Sequence, residues 1–71
     1  MEDWKTRLAD EYRQTKERYK KLKVYNMENV VDTSSPTRDI VDHNLRIDQQ
    51  LAMEKYLHTL ELRAELHGIP I

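Results

Sequence analysis

The stretch that most constrains the fold is residues 36–67, PTRDIVDHNLRIDQQLAMEKYLHTLELRAELH, which opens on a proline and contains no internal proline or glycine. Nothing in it breaks or kinks a helix, and as one helix it is roughly 45–50 Å long. Its ends carry their own signals. Ser35 before Pro36 predicts a helix start, with the serine hydroxyl accepting an orphan amide bond and the proline at the first helical position. Asp39 adds an acid to the first turn. Gly68 stands where a left-handed terminator is expected, and Pro70 blocks a restart.

Upstream, Trp4, Leu8, Tyr12, Thr15, Tyr19 and Leu22 recur at spacings of four and three residues, which places them on one helical stripe. This predicts a first helix over about residues 2–25, roughly 33 Å long. Glu2 and Asp3 sit at its positive end, and Lys20, Lys21 and Lys23 at its negative end. Between the helices, residues 26–35, NMENVVDTSS, lose the period and collect residues that bond their own backbone. Val30 and Val31 are candidates for an extended piece packed over the end of a hairpin. The expected architecture is all-α, a single helical-hairpin domain over residues 1–71 with a long second helix, completed by oligomerisation, and a short tail at 68–71.

Seventy-one residues hide little surface from water. With no cysteine there is no disulfide to staple the chain, and His43, His58 and His67 match no compact zinc spacing. No metal or cofactor is expected. Charged residues make up 35% of the chain with a net charge of only −1, which gives no bulk field for duplex nucleic acid. The apolar runs are too short to span a bilayer, and Met1 to Leu8 do not form a signal peptide. A soluble cytoplasmic protein is expected.

Plotted at 100° per residue, the apolar side chains of the second helix make two opposed clusters. One holds Ile40, Ile47, Leu51, Leu62 and Ile69; the other holds Leu45, Ala52, Met53, Tyr56, Leu57, Leu60 and Ala64. A single partner helix covers only one of them. The spare face predicts a homo-oligomer or partner interface, for which Ile40, Ile47, Leu51, Met53, Tyr56 and Leu60 are the candidates; the alternative is a monomer that wraps its connector over that face. Asn44 and Gln49 fall among the clusters, where buried polar groups set register.

Three groups of residues are candidates for chemistry. Arg13 to Lys23, RQTKERYKKLK, is basic with Tyr12, Tyr19 and Tyr25 interleaved, a combination that stacks bases and neutralises phosphates; equally, the tyrosines form the seam of the hairpin while the lysines solvate its outer face. Thr37 and Arg38 lie at a helix N-terminus, which favours an anion. Asp39, Asp42 and His43 are close enough for general-base chemistry, but no nucleophile or oxyanion donor accompanies them, so an enzyme is not expected.

Gln49-Gln50, Ala52-Met53, Tyr56-Leu57, Leu60 and Arg63-Ala64, with the opening helix WKTRLADEYRQTKERYKKL, resemble a family of very short phage helical proteins first labelled from an open reading frame of a crAss-like phage. Pro36-Thr37-Arg38-Asp39 followed by Ala52-Met53 is similar to the helical-hairpin domain of phage sponges that sequester the cyclic-nucleotide signals of CBASS and Thoeris defence. That resemblance implies oligomers that bind ligand between subunits through a tyrosine and lysine of the early helix and an arginine near the start of the long one. Thr37 and Arg38 carry over by motif; Tyr12, Lys16, Tyr19 and Lys23 are candidates by chemistry. The expected function is sequestration of a cyclic oligonucleotide as an anti-defence factor. The alternatives are a helical inhibitor of a host or defence protein, bound through the exposed face of helix two, and a purely structural coiled-coil adaptor.

Overall fold

Helix α1 spans Asp3–Glu28 and α2 spans Thr37–Leu66 in the computed structural model, which describes residues 3–71. No strand occurs among the described residues. The helices run antiparallel. Trp4 at the start of α1 sets its ring against His67 at the end of α2, with centroids 4.8 Å apart, and Asn26 near the end of α1 reaches Arg46 and Gln50. The rod that results measures 55 × 15 × 15 Å with a radius of gyration of 15.8 Å, against about 11 Å for a compact chain of this length.

One stripe per helix makes the seam. On α1 it is Leu8, Tyr12, Thr15, Tyr19, Leu22 and Asn26; on α2 it is Ile40, His43, Ile47, Gln50, Met53, Leu57, Leu60 and Ala64, all buried or half-buried. The apolar part lies at one end, where Leu8 and Tyr12 meet Leu57, Leu60 and Ala64, with Tyr19 and Ile69 packed against them. Ala64 is 1% exposed, and its small side chain lets α1 come close. Toward the connector the seam becomes polar. Asn26, 4% exposed, donates through Nδ2 to Gln50 Oε1 at 2.9 Å and to the Arg46 carbonyl at 3.3 Å. A polar pair in a heptad seam holds one register against sliding.

The two opposed clusters expected on α2 are corrected by this seam, which takes Ile40 and Ile47 from one cluster and Met53, Leu57, Leu60 and Ala64 from the other. Leu45, Leu51, Ala52, Tyr56 and Leu62 stay exposed. Asn44 and Gln49 are exposed as well, and the buried polar pair is Asn26 with Gln50.

Both helix boundaries differ from expectation for local reasons. Helix α1 continues past Tyr25 to Glu28 because Asn26 is held in the seam. Lys20, Lys21 and Lys23 therefore lie inside the helix, and its last turn carries no cation. Glu2, expected at the positive end, lies outside the described residues. At the start of α2, Pro36 takes the cap position without a side-chain bond. The Ser35 hydroxyl instead accepts the Asp32 amide at 3.1 Å, and the Asp32 carboxylate accepts the amide and hydroxyl of Ser34. Those bonds hold the Asp32 carboxyl below its ordinary range, led by the Ser34 hydroxyl. Short polar side chains compete for the same backbone groups, and here Asp32 wins.

In the connector Val31 is half-buried and Val30 exposed, and Ile40 in the first turn of α2 is half-buried. At the far end the expected stop occurs. Gly68 adopts φ 65°, its amide bonds the Glu65 carbonyl, and the Ile69 amide bonds the Ala64 carbonyl at 2.8 Å. This is a Schellman motif, and Ile69 completes it by packing on the core.

Leu60 is 3% exposed and Met27 70%. Replacing Leu60 with alanine is expected to cost about 2–4 kcal/mol in urea unfolding, while Met27→Ala stays within about 0.5 kcal/mol. Equal costs at the two positions would contradict the seam.

Candidate functional site

Two identical modules stand seven residues apart on α1. Lys16 lies over the Tyr12 ring at 5.4 Å and Lys23 over the Tyr19 ring at 5.8 Å, each lysine one helical turn after its tyrosine. Across the seam α2 answers with the same period. The Tyr12 hydroxyl donates to Glu61 Oε2 at 2.6 Å, and the Tyr19 hydroxyl to Glu54 Oε2 at 3.4 Å. Heptad matching of two antiparallel helices makes this repeat, because a step of seven residues along one helix returns to the same face opposite a step of seven along the other.

Between the modules runs an open groove of about 350 Å³, lined by Tyr12, Lys16, Tyr19, Lys20, Glu54, Leu57, His58 and Glu61. Its electrostatics are mixed. Lys16, Lys20 and Lys23 hold no carboxylate among the described residues, whereas Lys21 pairs with Glu17 and Arg13 with Asp10. Glu54 and Glu61 bring acceptors to the opposite wall, and His58 lies 3.7 Å from Glu61. The hydrogen bond to Glu61 pushes the Tyr12 phenol above its ordinary 10.0, helped by burial and opposed by Lys16. Such a surface offers the half-buried Tyr19 ring for stacking, ammonium groups for anions and carboxylates for N–H donors, while Tyr12 is buried in the core.

Of the candidates read from the sequence, the structure brings Tyr12, Lys16, Tyr19 and Lys23 together. Thr37 and Arg38 are exposed at the first turn of α2, about 24 Å along the helix from Glu54. Arg38 has no ion-pair partner among the described residues. Among the interface candidates, Ile40, Ile47, Met53 and Leu60 belong to the hairpin seam, while Leu51 (56% exposed) and Tyr56 (44%) remain free. Glu54, Glu61 and the Asn26–Gln50 pair were not expected. Their signal was the seven-residue period that Glu54 and Glu61 share with Tyr12 and Tyr19.

A second concavity, about 390 Å³, lies at the connector end, lined by Tyr25, Val31, Ser35, Asp39, Asp42 and Arg46 among others. Arg46 is largely committed there. Its guanidinium sits 4.7 Å from the Tyr25 ring centroid, 3.4 Å from Asp42 and 3.5 Å from His43 Nδ1. No group of three or more His, Asp or Glu among the described residues is arranged to hold a metal, and no helix among them is long and apolar enough to cross a membrane.

The Sequestin family model matches residues 2–66, both helices and the connector together. The chain belongs to the Sequestin family. This accords with the resemblance to short phage helical proteins read from the sequence. No curated protein and no solved structure matches the chain.

The raised Tyr12 phenol gives this Sequestin chain a pH signature. Because its folded value lies above the unfolded one near 10.0, the stability it confers is complete below pH 10 and is lost as the pH rises through the folded value. The stability difference between wild type and Tyr12→Phe, about 1 kcal/mol, is therefore expected to hold constant up to about pH 10 and to shrink above it in urea melts. A difference that grows with alkali would exclude the Tyr12–Glu61 bond as its source.

Proposed function

We propose that this chain is a non-enzymatic, phage-encoded anti-defence protein that sequesters a cyclic oligonucleotide immune signal between subunits in the host cytoplasm. The observation that carries the reading is the doubled tyrosine–lysine module beside one groove. Bases stack on tyrosine faces regardless of sequence, with a worth of about 1–3 kcal/mol each, while Lys16, Lys20 and Lys23 supply charge for phosphates. Glu54 and Glu61 would accept exocyclic amines of the bases. The family's name, Sequestin, speaks of sequestering and supports the same class of function. Arg38, exposed and without an ion-pair partner among the described residues, fits as a phosphate contact supplied by a second subunit, since its own chain keeps it far from the groove.

A second reading draws on a different observation. Leu45, Leu51 and Leu62 are each more than half exposed, and a helix with that outer face also suits a groove of a host or defence protein. A purely structural coiled-coil adaptor predicts neither ligand. Isothermal titration against a panel of cyclic di- and trinucleotides separates these readings. The sponge reading predicts heat with at least one member and about tenfold weaker binding for Tyr19→Ala, with a smaller loss for Arg38→Ala. No heat across the panel, together with capture of a defined host protein, would replace it with the inhibitor.

A further inference from the structure

On the flank of the seam opposite the tyrosine–lysine groove lies a separate concavity of about 410 Å³, within the size range of small-molecule sites. At 100° per residue Trp4, Arg7 and Glu11 fall on one side of the α1 seam stripe, and Lys16 and Lys20 on the other. The two grooves therefore share no lining residue. The floor of the second is apolar, made by Leu8 and Leu60 at 5% and 3% exposure. Around that floor stand two aromatic rings, Trp4 and Tyr56, and two guanidinium groups, Arg7 and Arg63, one of each from either helix.

The hairpin itself makes little use of these four side chains. Arg7 and Arg63 are exposed and hold no carboxylate among the described residues, whereas Arg13 is paired with Asp10 and Arg46 with Asp42. Tyr56 is 44% exposed, and its hydroxyl has no hydrogen-bond partner among the described residues. The carboxylate in the lining, Glu11, already accepts the Thr15 hydroxyl at 3.0 Å. Two cations against that one acid leave the cavity positive, and Lys5, 5.8 Å from the Trp4 ring centroid, adds a cation at its outer end. The register brings the arginines level. His67 meets Trp4 across the seam, Arg7 is three residues inward from Trp4, and Arg63 is four inward from His67. Both therefore rise about 5 Å, or one turn, from the indole contact.

We propose that this cavity binds a small aromatic phosphomonoester, a mononucleotide in its chemistry, with the terminal phosphate between Arg7 and Arg63 and the base against Trp4. Guanidinium groups take phosphate oxygens two at a time through a planar fork, which a lysine ammonium cannot do. A phosphomonoester also carries close to two negative charges at neutral pH, one for each arginine. A cyclic oligonucleotide has only internal phosphates with a single charge each. The cavity is thus matched to a different ligand from the groove on the other flank, and the inference does not rest on the function proposed for that groove.

Trp4 is the sole tryptophan of the chain, so its fluorescence reports on this cavity. Titration of the full chain with adenosine 5′-monophosphate is expected to change that emission saturably, with adenosine binding about tenfold or more weakly. R7A/R63A is expected to weaken the nucleotide by about tenfold or more, and R7K/R63K to recover only part of the loss because the charge returns without the fork. Tyr19→Ala, on the other flank, is expected to leave the titration unchanged. No saturable change, equal binding of adenosine and its monophosphate, or indifference to R7A/R63A would each overturn the proposal. Loss of the signal in Tyr19→Ala would overturn it as well, by moving the ligand to the other groove. Circular dichroism checks that the variants keep their helices, and should R7A/R63A lose helicity, the charge-preserving R7K/R63K decides, full wild-type affinity in it being the overturning result.

Discussion

A two-helix chain has a single seam, and everything else in this structure follows from how little one seam can bury. Each helix presents a full circumference of side chains, of which only the stripe facing its neighbour leaves water. Five apolar residues form the core, clustered at the end where Ala64 lets α1 approach α2 closely. Transfer energy of that size barely offsets the entropy of ordering two helices. The rest of the seam therefore works by specificity. Asn26 and Gln50 contribute little burial energy, yet they penalise any slip that would leave a buried amide unpaired. The Schellman turn at Gly68 returns Ile69 to the core and adds apolar contact where it is needed most.

The same register that closes the hairpin also builds the candidate site. Once the helices are locked with Tyr12 opposite Glu61, the heptad period requires Tyr19 to stand opposite Glu54. The carboxylates then fix the phenol hydroxyls, and the rings lose rotational freedom before any ligand arrives, which lowers the ordering cost of stacking. Lysines one turn away complete each module without being consumed by it, since a cation over a ring at more than 5 Å remains free to turn toward an anion. Structure and site are thus not separable here: Tyr12 is at once a core residue and a wall of the groove.

Helix existence, length and the Gly68 stop were legible because they depend on local signals, the absence of breakers and a positive-φ residue in the right place. The division of α2 into two apolar clusters was misread for a geometric reason. At 100° per residue a seven-residue repeat drifts by about 20° per heptad, so over the three heptads from Ile40 to Leu60 one continuous seam is split across the helical wheel. Packing against α1 follows the 3.5-residue period and reunites Ile40 and Ile47 with Leu57 and Ala64. The Ser35 cap failed because Asp32 competes for the same hydroxyl, a contest between near neighbours that composition does not rank. The separation of Arg38 from the tyrosines follows from an unbroken helix, whose ends no side chain can bridge.

That separation also limits what the groove of one hairpin can enclose. Sites that hold small molecules tightly bury most of the ligand surface, and a groove between two helices in one layer encloses its contents on two sides only. Lysines on the rim and the half-buried Tyr19 ring give attraction without enclosure. Tight retention of an anion in such a groove needs further walls, and the only cationic group of the motif not already beside it, Arg38, lies at the far end of the same rod.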